Sequence, residues 1–69
     1  MTGLINHLKE HRKTRNITQA DLAQLVQVSR KTINTIENNV FVPSTVLALR
    51  LAKALEVRVH DLFELDDGC

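Results

Sequence analysis

The chain has 69 residues, of which 43% are hydrophobic, and a formal net charge of +1. This length allows one domain, residues 1–69, with a thin core and no room for an effector-binding domain, so we expect no small-molecule effector. We find no apolar run of about 18 residues and no signal-peptide pattern at residues 1–4, so we expect a cytoplasmic protein without a membrane partner. The one cysteine, Cys69, provides no disulfide framework and is expected to be an idle thiol.

Charge is distributed unevenly along the chain. Residues 1–39 carry six Lys and Arg against three acidic residues, whereas residues 40–69 carry three against five. A positive half suits a polyanionic partner, and an acidic end would point away from it. Ordinary surface charge is the alternative interpretation.

Apolar periodicity predicts two helices in the first part of the chain. The first covers residues 4–15 and ends at Asn16, a residue that tolerates the left-handed conformation. The second begins at Thr18, which forms a capping-box pattern with Asp21.

Three more helices follow. Ser29 is a good N-cap for the third, which ends at Asn38, and Ser44 can cap a broadly apolar fourth helix after Pro43. A short fifth segment covers residues 59–63, and residues 66–69 form a polar tail beyond a core at about 4–65. The predicted fold class is therefore all-α, a compact bundle of five helices.

Residues 19–38 have the pattern of two helices that meet at a steep angle. Ala23 is small enough for close approach, Val28 can fill the turn, and Ser29 starts a new helix at once. Apolar residues at 33 and 36 anchor the third helix and leave polar and basic side chains outward: Arg30, Lys31, Asn34 and Thr35. These residue types pair with base edges and phosphates, so the pattern predicts a helix-turn-helix that reads double-stranded DNA in the major groove.

The order of motifs resembles the lambda and 434 repressor and Cro family, also called the xenobiotic response element family. The similarity covers about residues 6–65 and is carried by five runs: Ile-Thr-Gln-Ala-Asp-Leu-Ala from 17, Val-Ser-Arg-Lys-Thr-Ile from 28, Ile-Glu-Asn from 36, Pro-Ser from 43 and Leu-Arg-Leu-Ala-Lys-Ala-Leu from 49. The resemblance implies a sequence-specific transcriptional regulator, expected to be a repressor.

The resemblance also implies roles for individual residues. Base reading falls to Arg30, Lys31 and Thr35, and contacts to the DNA backbone fall to Thr18, Gln19, Thr32, Asn34 and Asn38. Gln19 is also expected to brace the recognition helix. Arg12 and Glu37 correspond to the family's internal ion pair between the first and third helices, which is structural.

The chain departs from the family pattern around its turns. Gln27 stands where the family usually has Gly in the turn, at a cost of about 1 kcal/mol if its φ is positive. Asn39 replaces another Gly, His11 replaces an inward Leu, and Val40 and Val42 make the loop around Phe41 unusually apolar.

That apolar loop suggests a homodimer. One recognition helix covers too few base pairs to select a site in a genome, and a two-fold dimer doubles the contacts. We expect its interface to contain Val40, Phe41, Val42 and Leu65. The alternative is that Phe41 packs into its own core.

Residues 7–11 match the letters H-x-x-E-H of a zinc motif. The sequence offers no clear third ligand, so we expect no metal, no cofactor and no enzymatic activity, with His7 solvated and His11 half-buried. Two alternatives to a simple regulator remain open: an antitoxin or restriction-modification controller that uses the same DNA chemistry, and a protein-interaction module that has lost DNA binding.

Overall fold

The computed structural model describes residues 3–66, so the thiol of Cys69 and residues 67–69 of the predicted tail lie outside the described part of the chain. The elements in chain order are strand β1 (Gly3–Asn6), helices α1 (Leu8–Thr14), α2 (Gln19–Val26), α3 (Arg30–Glu37), α4 (Thr45–Leu55) and α5 (Val59–Leu62), and strand β2 (Phe63–Asp66). Within residues 3–66, no helix combines the length and apolar character needed to cross a membrane.

The predicted all-α class is wrong in one respect, because the two ends of this region pair as an antiparallel sheet. Leu4 lies opposite Leu65, and Asn6 lies opposite Phe63. The helix predicted over residues 4–15 begins only at Leu8, whose N–H is bound by the Asn6 side chain at 3.0 Å. Pairing between segments about sixty residues apart leaves no local periodicity, which is why the sequence favoured a longer helix. Likewise, Phe63, predicted to end the fifth helix, begins β2.

The predicted N-caps are confirmed. The side-chain oxygens of Thr18, Ser29 and Ser44 accept hydrogen bonds from the N–H groups of Asp21, Thr32 and Leu47. Thr18 and Asp21 form the full capping box, because the Thr18 N–H also donates to the Asp21 carboxylate at 3.1 Å. These caps fix where α2, α3 and α4 begin.

Four residues with positive φ follow the first four helices: Asn16, Gln27, Asn39 and Glu56, with φ between 57° and 64°. After α2, the Gln27 N–H donates to the Gln24 carbonyl and the Val28 N–H donates to the Ala23 carbonyl, the two bonds of a Schellman motif. Asparagine accepts this conformation readily, whereas Gln27 and Glu56 adopt it at a steric cost.

The core is formed by one apolar cluster to which every helix contributes: Leu8, Leu22, Ala23, Val26, Ile33, Ile36, Leu47, Leu51, Ala52, Leu55, Leu62 and Phe63. Phe41 is not part of it and is 46% exposed. The alternative in which Phe41 packs into its own core is therefore wrong.

Candidate nucleic-acid interface

Helix α3 presents a polar face because its apolar residues are held inside. Ile33 and Ile36 are almost fully buried against the core. Arg30, Lys31 and Asn34 are exposed on the other side of the helix. Neither Arg30 nor Lys31 forms an ion pair within residues 3–66, so both charges are available to an external anion.

A buried ion pair holds the end of α3 against α1. Arg12 Nε donates to Glu37 Oε2 at 2.7 Å, and Arg12 Nη2 donates to Glu37 Oε1 at 3.3 Å. The side chains are 10% and 2% exposed. Arg12 Nη1 also donates to the Ile17 carbonyl at 2.9 Å, so the guanidinium ties together α1, the α1–α2 loop and α3.

Gln19 links the first residue of α2 to α3. Its Nε2 donates to Glu37 Oε1 at 3.0 Å and to Asn34 Oδ1 at 3.3 Å. A side-chain amide has two N–H groups, so both donors of Gln19 are engaged inside the protein. The bracing contact predicted for Gln19 is therefore present, and any phosphate contact in this arrangement would use its main-chain N–H at the start of α2.

The residues expected to contact the DNA backbone lie on neighbouring parts of this surface. Asn38 Nδ2 donates to Asn34 Oδ1 at 3.1 Å, and the hydroxyls of Ser29 and Thr32 are hydrogen-bonded at 2.9 Å. Thr18 caps α2 with its oxygen, which leaves its hydroxyl proton free to donate outward. These hydrogen bonds hold polar side chains in place around the exposed side of α3.

Sequence reasoning missed two residues of this surface. A shallow depression of about 400 Å³ at the start of α2 is lined by Lys13 and Asn16 together with Thr18, Gln19 and Arg30. It combines two cations with the unsatisfied N–H groups of a helix N-terminus, which is a chemically suitable surface for a phosphate. The available signal was the position of Lys13 and Asn16 just before the capping residue of α2.

Thr35 differs from the other two predicted base-reading residues. It is half-buried, and its Oγ1 donates to the Thr32 carbonyl at 2.9 Å. Its own carbonyl accepts the N–H groups of Val40 and Phe41 at 2.9 and 3.2 Å. The loop after α3 is thereby folded back beside the outward face of the helix.

The four apolar residues expected at a dimer interface are all exposed: Val40 77%, Phe41 46%, Val42 68% and Leu65 68%. The structure also connects the loop to the sheet. Asn6 Nδ2 donates to Asn39 Oδ1 at 3.0 Å and to the Ile36 carbonyl at 2.6 Å, and Asn6 lies opposite Phe63 in the sheet. The strand that carries Leu65 is therefore joined through Asn6 to the residue that precedes Val40.

His7 of the H-x-x-E-H letters contacts two carboxylates, one of them on β2. His7 Nδ1 contacts Glu10 at 2.9 Å, and His7 Nε2 contacts Glu64 of β2 at 3.0 Å. The hydrogen bonds to Glu64 and then to Glu10 raise the pKa of His7 above its ordinary value of 6.5. Within residues 3–66, no three His, Cys, Asp or Glu side chains are arranged to hold a metal ion.

The chain is similar in sequence to known proteins. Residues 8–62 match the family described as helix-turn-helix. The chain is 44% identical over 62 residues to an uncharacterized HTH-type transcriptional regulator of Methanocaldococcus jannaschii, covering 90% of this chain and 94% of that protein. It is 37% identical to the uncharacterized HTH-type transcriptional regulator YgzD of Bacillus subtilis, again over 90% and 94%.

A solved structure has the same fold. The restriction-modification controller protein C.AhdI from Aeromonas hydrophila superposes with a TM-score of 0.78 at 32% identity, covering 83% of each chain.

Proposed function

The chain belongs to the helix-turn-helix family of the Cro/C1 type, and from this premise we propose that it is a DNA-binding regulator of transcription that reads the major groove of double-stranded DNA with α3. One observation carries the proposal: α3 is braced from behind by the Arg12–Glu37 pair and Gln19, while Arg30 and Lys31 at its start have no protein partner within residues 3–66. We propose that it acts as a repressor by blocking a promoter, and that it works in the cytoplasm, as expected from the sequence.

In this proposal the residues divide into two groups. Arg30, Lys31 and Thr35 read base edges, since Arg and Lys are suited to guanine and a Thr methyl to thymine. The contacts that set the register on the phosphates come from Thr18, Gln19, Thr32, Asn34 and Asn38. Lys13 and Asn16 join this second group, because they line the depression at the start of α2.

Selection of bound sequences from random duplexes, followed by mobility-shift titration, tests the proposal. Arg30→Ala should weaken the preferred site by about 1–3 kcal/mol and relax the preference at one base pair. Lys13→Ala should weaken all duplexes alike and reduce the salt dependence of binding. Arg50→Ala, an exposed cation on α4 outside this surface, is the control and should bind as the parent does.

Two results would contradict the proposal. If selection enriches no sequence and no duplex is shifted in the titration, the chain is the interaction module that has lost DNA binding. If Arg30→Ala leaves the ratio of specific to random binding unchanged, α3 does not read bases through this residue.

We further propose that the protein binds DNA as a two-fold homodimer, with half-sites about 34 Å apart. The support is the exposure of four apolar side chains, Val40, Phe41, Val42 and Leu65, which a monomer would leave in water and which we propose form one patch. An isologous contact through this patch would fix the distance between the two α3 helices.

Sedimentation equilibrium at micromolar concentration tests the dimer. The parent should have the mass of two chains, whereas Leu65→Asp should be monomeric with an unchanged helical circular dichroism spectrum. Leu25→Asp is a matched control, since Leu25 is 61% exposed and lies on α2, which carries none of the four patch residues. A monomeric parent, or a dimer that survives Leu65→Asp, would remove this interface.

Control of restriction-modification genes is a second candidate, favoured by the likeness to C.AhdI at 32% identity. It predicts that the preferred site lies upstream of the protein's own gene beside genes for a methyltransferase and an endonuclease. A selected site found only elsewhere in its genome would exclude this candidate without affecting DNA binding itself.

A further inference from the structure

A shallow apolar depression, which we call the slot, lies beside the outward face of α3. Its volume is about 390 Å³, and its lining consists of Ser29, Lys31, Thr32, Thr35, Val40 and Phe41. The wall formed by Val40 and Phe41 is fixed in place, because the N–H groups of both residues donate to the Thr35 carbonyl at 2.9 and 3.2 Å. The slot therefore continues the proposed DNA-reading surface and does not belong to a separate face.

Thr35 can offer a ligand in this slot its methyl group but no hydrogen-bond donor. Its hydroxyl proton is already donated to the Thr32 carbonyl at 2.9 Å, and a hydroxyl has only one proton. Opposite it, Val40 and Phe41 are 77% and 46% exposed, so apolar surface is available to a ligand. Lys31 adds a positive charge beside this apolar surface, without an ion-pair partner in residues 3–66.

The apolar group that the major groove offers is the C5-methyl of thymine. We propose that the slot receives a thymine methyl group, so that Val40 and Phe41 determine the base preference at a position next to the one that Lys31 reads. The inference rests on the proposed DNA binding and deepens it, since it adds two specificity-determining residues from the loop after α3. The Lys31 charge beside the slot fits a polyanion, and the slot continues the surface proposed to face DNA.

Replacing single thymines by deoxyuracil in the selected site tests this inference, because the exchange removes the methyl group and leaves the hydrogen-bonding edge intact. At one thymine per half-site, the affinity should fall roughly four-fold, the value for one buried methyl group. The other thymines of the same duplex are internal controls and should tolerate the exchange.

Protein variants separate the slot from the dimer contact. In Phe41→Ala, measured on a single half-site because Phe41 also belongs to the proposed dimer patch, the penalty for deoxyuracil should disappear. In Leu65→Asp, measured on a single half-site, the penalty should remain, because this variant changes the proposed dimer patch but not the slot.

Three outcomes would overturn the inference. They are a selected half-site without thymine at this position, deoxyuracil tolerated at every position, and a penalty that persists in Phe41→Ala. If a second copy of the chain occupies the slot instead, deoxyuracil should be tolerated at every position and Phe41→Ala should lose the dimer. Loss of all sequence preference is a different result, since it contradicts the proposed function itself.

Discussion

Removing the buried charge of Glu37 should strongly destabilise the fold. Glu37→Gln keeps the shape of the side chain but leaves the Arg12 guanidinium, whose side chain is 10% exposed, without a counter-ion. Breaking a buried ion pair on one side costs about 3–5 kcal/mol, and we take the lower end, about 3 kcal/mol, because the glutamine oxygen can still accept one hydrogen bond. A chain of this length has a total stability of roughly 3–10 kcal/mol, so the loss is a large fraction of it.

Thermal unfolding followed by circular dichroism measures this effect. A loss of about 3 kcal/mol should lower the Tm by roughly 12–24 °C in a domain of this size. The matched control is Glu56→Gln, the same chemical change in an exposed pair with Arg15 at 2.8 Å, where Glu56 is 77% exposed. That variant should unfold within a few degrees of the parent, since exposed pairs contribute about 0–1 kcal/mol. Equal midpoints for Glu37→Gln and Glu56→Gln would refute the reasoning that burial makes the first pair different.

Two further variants test the ends of the fold and its turns. A neutral imidazole can donate to only one of Glu10 and Glu64, so both contacts of His7 need the protonated ring. Because folding raises the pKa of His7 above 6.5, these contacts should stabilise the fold fully below pH 6.5, and this stabilisation should be lost as the pH rises through the folded-state pKa. The Tm of the parent should therefore exceed that of His7→Gln at pH 5.5, and this difference should shrink at pH 8.5. A difference that grows with pH would contradict the proposed role of the protonated His7. Gln27→Gly should raise the free energy of unfolding by about 0.5–1 kcal/mol in urea, because a φ of 64° costs glycine nothing. A destabilised glycine variant would show that the Gln27 side chain contributes more than the strain removes.

The outward face of α3, which we propose reads DNA, could largely be predicted from the sequence because its determinants are local. Capping at Thr18 and Ser29 depends on residues only three positions apart, and these caps set where α2 and α3 begin. Once the start of α3 is known, helical periodicity places Ile33 inward and Arg30 outward. The left-handed residues at 16 and 27 were likewise visible as turn positions between the predicted helices.

Other features depended on contacts between distant segments, which only the tertiary structure could decide. β1 pairs with β2 across about sixty residues, and neither segment is long enough to indicate a strand without its partner. The same pairing brings Glu64 to His7, a contact that no spacing within the H-x-x-E-H letters could indicate. The slot beside α3 forms because the loop folds back onto the Thr35 carbonyl, and this packing determines that Val40 and Phe41 lie next to Lys31. Sequence periodicity thus determined the faces of the helices, whereas the pairing of β1 with β2 and the position of the apolar loop followed from packing around the common core.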